Sequence, residues 1–166
     1  MKKSKNVDEQ EQWGYFSIDN MEFFVNTPPE TVPLSVTISD YSGSDEVLLI
    51  QDKVIYNEVI YKVTSIGEAT FSNSNLDSVT IPDGIVTIES GAFEAIGLTG
   101  IYIGNTVTTI EHGAFYENQL THVTIPNSVI TIGEAAFEEN QLTNITIPNR
   151  VIAIEPKLCI RKSISC

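Results

Sequence analysis

The stretch ENQLTHVTIPN at residues 117–127 returns as ENQLTNITIPN at residues 139–149. Only two letters differ: His122 becomes Asn144, and Val123 becomes Ile145. Working outward, Phe71, Phe93, Phe115 and Phe137 are spaced by 22 residues, and so are Leu76, Leu98, Leu120 and Leu142. Ile81, Ile103, Ile125 and Ile147 keep the step, and Ile66, Ile88, Ile110, Ile132 and Ile154 extend it. The unit is LxxVxIPxxVxxIxxxAFxxxx, with Val and Ile interchangeable. A fixed period of this length marks a repeat architecture and decides the fold before any local reading.

Each part of the unit has a physical reading. In LTHVTI, residues 120–125, Val123 and Ile125 alternate with Thr124, the period of a strand with one buried face. Pro126 ends the strand because it has no N–H to give a ladder, and Asn127 suits the turn. Val129 and Ile132 then bring the chain back to the core. GEAAF, residues 133–137, is rich in helix formers but too short for a full helix, so a single helical turn is expected, with Ala136 and Phe137 inward. EENQ, residues 138–141, reads as a polar corner. One such coil cannot bury enough apolar surface to offset its own ordering, so each needs neighbours and the end coils need caps.

The ends break the pattern. In the run VLLIQDKV, residues 47–54, Ile50 takes the strand-end place, but nine extra residues separate it from the regular spacing. They lie in VIYNEVIYKV and read as a β-hairpin turning at Asn57-Glu58. Upstream, YFSIDNMEFFV (residues 15–25) reads as a hairpin around Asp19-Asn20, TPPETVP as a loop and SVTISDY as a strand. The aromatic residues of this block, Trp13, Tyr15, Phe16, Phe23 and Phe24, are expected to cover the open core of the first coil. The division expected is residues 1–44 as N-terminal tail and β-rich cap, then residues 45–166 as the repeat array: one hairpin-inserted coil, about four regular coils and an irregular C-terminal end. In that end Pro156 breaks the turn and Cys159 stands where Phe is due. An imperfect cap leaves a coil end exposed, so end-to-end homodimerisation is an expectation.

The 166-residue chain carries a formal net charge of −13, from 22 acidic and 9 basic residues. Val63 to Asn149 contains no Lys or Arg and ten carboxylates. That balance argues against nucleic acid, whose binders need a basic face, and against anionic lipid. No apolar run is long enough to span a bilayer, and MKKSKNVDEQEQWGYFS lacks the apolar segment of a signal peptide. Two cysteines, Cys159 and Cys166, are too few for a disulfide scaffold or a structural zinc site, and whether they pair is open.

The run LTHVTIPNSVITIGEAAF resembles the BspA-like, Treponema-type class of bacterial leucine-rich repeats, whose hallmark has the form LTxVTIPxSVTxIGxxAF. Residues 40–71 resemble that family's N-terminal cap, where an Asn-Gly hairpin usually leads into YxVTSIG; here Asn57-Glu58 takes its place. The resemblance covers roughly residues 33–154. It implies a right-handed leucine-rich-repeat solenoid, β-dominated with short helical turns and a strand-lined concave face. It also implies a non-enzymatic module for adhesion or protein binding, on the cell surface or secreted.

The candidate binding face consists of outward strand positions. Stacking places Ser78, Gly100, His122 and Asn144 in one column, and Thr80, Tyr102, Thr124 and Thr146 in the next, with Thr121 alongside. Tyr102 and His122 carry the most recognition chemistry. Catalysis finds no support: no Ser or Cys nucleophile has a partner at a readable spacing, His112 and His122 lie in different parts of the coil, and no glycine loop cradles phosphate. No cofactor or metal is called for. Three functions follow: a module for an unidentified protein partner, a structural spacer or capping fragment of a longer repeat protein, or a solenoid binding a glycan or ordered lattice. Tyr102 interrupts the Thr column and weakens the lattice reading.

Overall fold

The computed structural model describes residues 14–26, 33–143 and 145–154. Among them the chain forms short strands and no helix. The strands are β1 (Tyr15–Ile18), β2 (Met21–Val25), β3 (Ser35–Tyr41), β4 (Val47–Leu49), β5 (Lys53–Tyr56) and β6 (Val59–Ile66). They continue with β7 (Ser78–Ile81), β8 (Thr87–Ile88), β9 (Gly100–Ile103), β10 (Thr109–Ile110), β11 (Thr131–Ile132) and β12 (Ala153–Ile154).

Two sheets result. The larger runs β1-β2-β3-β6-β8-β10-β11-β12, with β5 also paired to β6. From β6 onward it is parallel, and each partner lies one repeat further along: Ile66 pairs with Ile88, Ile88 with Ile110, Ile110 with Ile132 and Ile132 with Ile154. The smaller sheet is parallel, in the order β4-β7-β9. The sequence reading gave each unit one strand. The structure has a second strand at the VxxI segment, because Thr87, Thr109 and Thr131 sit beside an inward Ile that repeats at the same step. At residues 120–125 the expected strand is reduced to a single parallel bridge, Thr124 to Thr146.

The two hairpins form where expected. β1 pairs with β2 around Asp19-Asn20, and β5 with β6 around Asn57-Glu58. Asn57 and Glu58 both have positive φ, 49° and 67°, the conformation that matches strand twist in a two-residue hairpin. Phe16 stacks on Tyr56 with centroids 4.3 Å apart and packs against Tyr61 at 5.3 Å, so the first hairpin closes over the second. Trp13, most of the TPPETVP loop, Cys159 and Cys166 lie outside the described residues.

The core is a column of repeat positions. Phe71, Phe93, Phe115 and Phe137 are fully buried and stack in series, 4.7, 5.3 and 5.1 Å apart and near parallel. Tyr41 tilts against Phe71 at 5.1 Å and ends the column. Leu76, Leu98 and Leu120 and the Ile columns pack around it.

The expected helical turn does not form. In residues 67–71, 89–93 and 111–115, the equivalents of 133–137, alternate N–H groups donate to the next coil instead of along the chain. Gly91 donates to the His112 carbonyl, Phe93 to Ala114, Gly113 to Glu134 and Phe115 to Ala136, all near 2.9 Å. Local bonds such as Ala136 to Gly133 alternate with these. Holding this path puts Ala69, Gly91, Gly113 and Ala135 at φ between 52° and 62°, one per coil. Helix-forming composition is outweighed by bonding between coils.

The polar corner also differs from expectation. Asn118 and Asn140 are each 5% exposed. Asn118 accepts from the Leu98 N–H at 2.9 Å and donates to the carbonyls of Phe93 at 2.7 Å and Tyr116 at 3.2 Å. Asn140 accepts from Leu120 and donates to Phe115, Phe137 and Glu138. These side chains satisfy buried backbone groups that the turn leaves without a ladder.

Candidate functional site

The outward positions of the smaller sheet follow from its register. Val79 and Ile81 on β7, and Ile103 on β9, point inward and are buried. Ser78 and Thr80 therefore face outward on β7, opposite Gly100 and Tyr102 on β9. Ser78 and Thr80 are half-buried. Tyr102 is 53% exposed, and the Asn105 amide donates to its hydroxyl at 3.5 Å.

In the following coil Thr121, His122 and Thr124 are all exposed, and Val123 and Ile125 are buried beneath them. Thr124 bridges to Thr146, which is also exposed. His122, Thr124, Thr146 and Asn105 share a shallow hollow of about 350 Å³ floored in part by Pro126 and Pro148. Tyr102 joins this group through Asn105. Ser78 and Thr80 lie beyond Gly100 and Tyr102, and Thr121 does not line the hollow. Asn144 is outside the described residues.

Asn105 was not singled out in the sequence; only its counterpart Asn127 was read, as a turn residue. Asn105 follows Ile103 as Asn127 follows Ile125, and its N–H donates to the Asp83 carboxylate at 2.6 Å. The recurrence of Asn or Asp just past each strand was the signal that these positions rim the same face. The hollow presents hydroxyls, an amide and an imidazole over apolar ground, which suits hydrogen bonding to a neutral or mixed surface.

The turn segments make a different surface. Glu94, His112, Tyr116, Glu134 and Glu138 line a hollow of about 220 Å³. Partial withdrawal from water, then the negative charge of Glu117, Glu139, Glu138 and Glu94, pushes the Tyr116 phenol above its ordinary value. Among the described residues no group of three or more His, Cys, Asp or Glu is placed to hold a metal ion. No helix among them is long and apolar enough to cross a membrane.

Solved structures share this fold. A leucine-rich repeat protein from Bacteroides ovatus is similar with a TM-score of 0.69 and 27% identity, over 86% of this chain and 37% of its own. One from Bacteroides capillosus has a TM-score of 0.70 at 23% identity, over 80% of this chain and 96% of its own. The pneumococcal vaccine antigen PcpA has a TM-score of 0.71 at 20% identity, over 83% of this chain and 39% of its own. The chain thus spans well under half of the B. ovatus protein and of PcpA. No curated protein matches the sequence. The BspA type leucine rich repeat region matches residues 51–164 in six copies. With that match along most of its length and the 22-residue register seen in its sheets, the chain belongs to the BspA-type leucine-rich-repeat family.

Proposed function

We propose that the chain is a right-handed solenoid that serves as a non-enzymatic, protein-binding and adhesive module of a bacterial surface or secreted protein. The face made by Ser78, Thr80, Tyr102, Thr121, His122, Thr124, Asn144 and Thr146 is its contact surface, the concave side of the array. Leucine-rich repeats of bacterial origin are generally interaction modules, which supports the class. The observation that carries the assignment to this face is Tyr102. It is a large amphipathic side chain, 53% exposed, on a strand whose inward neighbours are the half-buried Ile101 and the buried Ile103. A rigid aromatic anchor beside adaptable hydroxyls is the composition of binding hot spots.

The test is a pair of variants, Tyr102→Ala and His122→Ala, assayed against a captured protein partner. Binding weakens by about tenfold or more while the melting temperature stays put. Intact binding in both variants removes the assignment. A second reading, a structural segment of a longer repeat protein, is favoured by the B. ovatus relative, of which this chain spans 37%. In that case neither variant affects any interaction.

A further inference from the structure

The larger sheet outruns the smaller one. Beyond β6 it continues through β3, β2 and β1, whereas the smaller sheet stops at β4. Among the described residues β4 pairs with β7 on one side and with no strand on the other. The carbonyl of Glu46 accepts from Asp77 and Ser78, and the Ile50 N–H donates to Thr80, so the even-numbered residues face β7. By alternation, the backbone of Val47 and Leu49 faces away from it. Gln51 reaches back to the Leu49 carbonyl at 3.2 Å. Val47 and Leu49 are 71% and 60% exposed.

Beside this strand lies a cavity of about 570 Å³, between β4, β3 and the turn of the first hairpin. Its apolar wall is Ile18, Phe23, Ile38, Leu48 and Val54. Asp19 and Asp45 also line it, and Lys and Arg do not. Asp45 accepts a 2.6 Å bond from the Tyr41 hydroxyl. The volume is in the range of ligand-binding clefts.

We propose that this end of the smaller sheet is a docking site for an extended segment of a partner protein, which adds as a strand to β4. Its alternate apolar side chains enter the cavity, and a Lys or Arg meets Asp19 and Asp45. Three features select that occupant. The outward backbone groups of a terminal strand call for another strand. The cavity takes the apolar side chains of such a strand. The carboxylates, in a chain of net charge −13, select a basic flank. The site adjoins the Tyr102 face at the edge of the same sheet, with Leu49 opposite Thr80 and Thr80 opposite Tyr102, and differs from it in using the free edge and the cavity.

A display library of random twelve-residue peptides panned on the full chain tests the proposal. Enriched peptides are expected to alternate apolar residues and to carry Lys or Arg. Leu49→Pro, which removes one outward N–H and leaves the even-numbered contacts to β7, weakens them by about tenfold or more. Asp45→Lys acts in the same direction, and Tyr102→Ala has no effect, which separates this site from the face proposed above. Should Leu49→Pro not fold, amide exchange on the unaltered chain decides: Val47 and Leu49 slow on peptide addition. The proposal is overturned if no peptide is enriched, if the peptides bind Leu49→Pro equally, or if those amides do not slow. Concentration-dependent self-association lost in Leu49→Pro also overturns it, by giving the edge to a second copy.

Discussion

Asn118 and Asn140 do at single-residue scale what a longer turn would need several waters to do. Each side chain holds at least three backbone groups in the interior. Asn140→Ala leaves the Leu120 N–H and the Phe115 carbonyl without a partner, and urea unfolding should show a loss of about 2–4 kcal/mol. Glu58 gives the opposite sign. It holds φ at 67°, a conformation disfavoured for any residue with a Cβ. Glu58→Gly should raise stability by about 1 kcal/mol in the same assay, because glycine adopts that turn without the steric cost. These two positions mark the limits of sequence reading. Glu58 was legible, because the hairpin spacing placed it in the turn. Asn140 was not, because a polar letter beside two glutamates reads as surface, and only the path of the turn carries it inside.

At the scale of elements, the phenylalanine column and the carboxylates beside the larger sheet pull in opposite directions. Phe115 stacks on both Phe93 and Phe137, so Phe115→Ala should cost about 3–5 kcal/mol. The double variant with Phe93→Ala should depart from additivity in a thermodynamic cycle, because the two rings share a contact. The column was visible in the 22-residue spacing. The second strand of each coil was not, since its two-residue ladder is too short to leave an alternating pattern. Glu89 opposes stability. Burial, and then the charge of Glu111, raises its carboxyl above the ordinary value, against a backbone hydrogen bond from Glu68 that lowers it. A raised carboxyl binds its proton more tightly in the folded chain. The penalty is therefore absent below the ordinary carboxylate range, and grows as pH rises through the raised value. Glu89→Gln should raise the melting temperature at about pH 7, and the gain should vanish near about pH 3.5.

For the whole molecule, the repeat divides each coil into letters that the interior fixes and letters that it leaves open. Val123 and Ile145 occupy the same place in successive coils, where a methylene can change. His122 is the exposed neighbour of Val123, and the next copy writes Asn at that letter, so there the chemistry itself changes. The fold was readable because inward letters recur. The proposed contact face was readable only as a set of columns: the hollow joining His122, Thr124 and Thr146 to Asn105 depends on how the post-strand turns fold over the sheet. The central claim is that recognition is carried by that face and not by the acidic turn surface. Site-specific photo-crosslinking tests it most directly. A photoreactive residue is placed in turn at 102, 122, 94 and 138, and each chain is incubated with protein extract from its source cells and from surfaces they contact. The account predicts a discrete protein adduct from positions 102 and 122 and none from 94 and 138. Adducts from 94 and 138 alone, or equal labelling at all four positions, would contradict it.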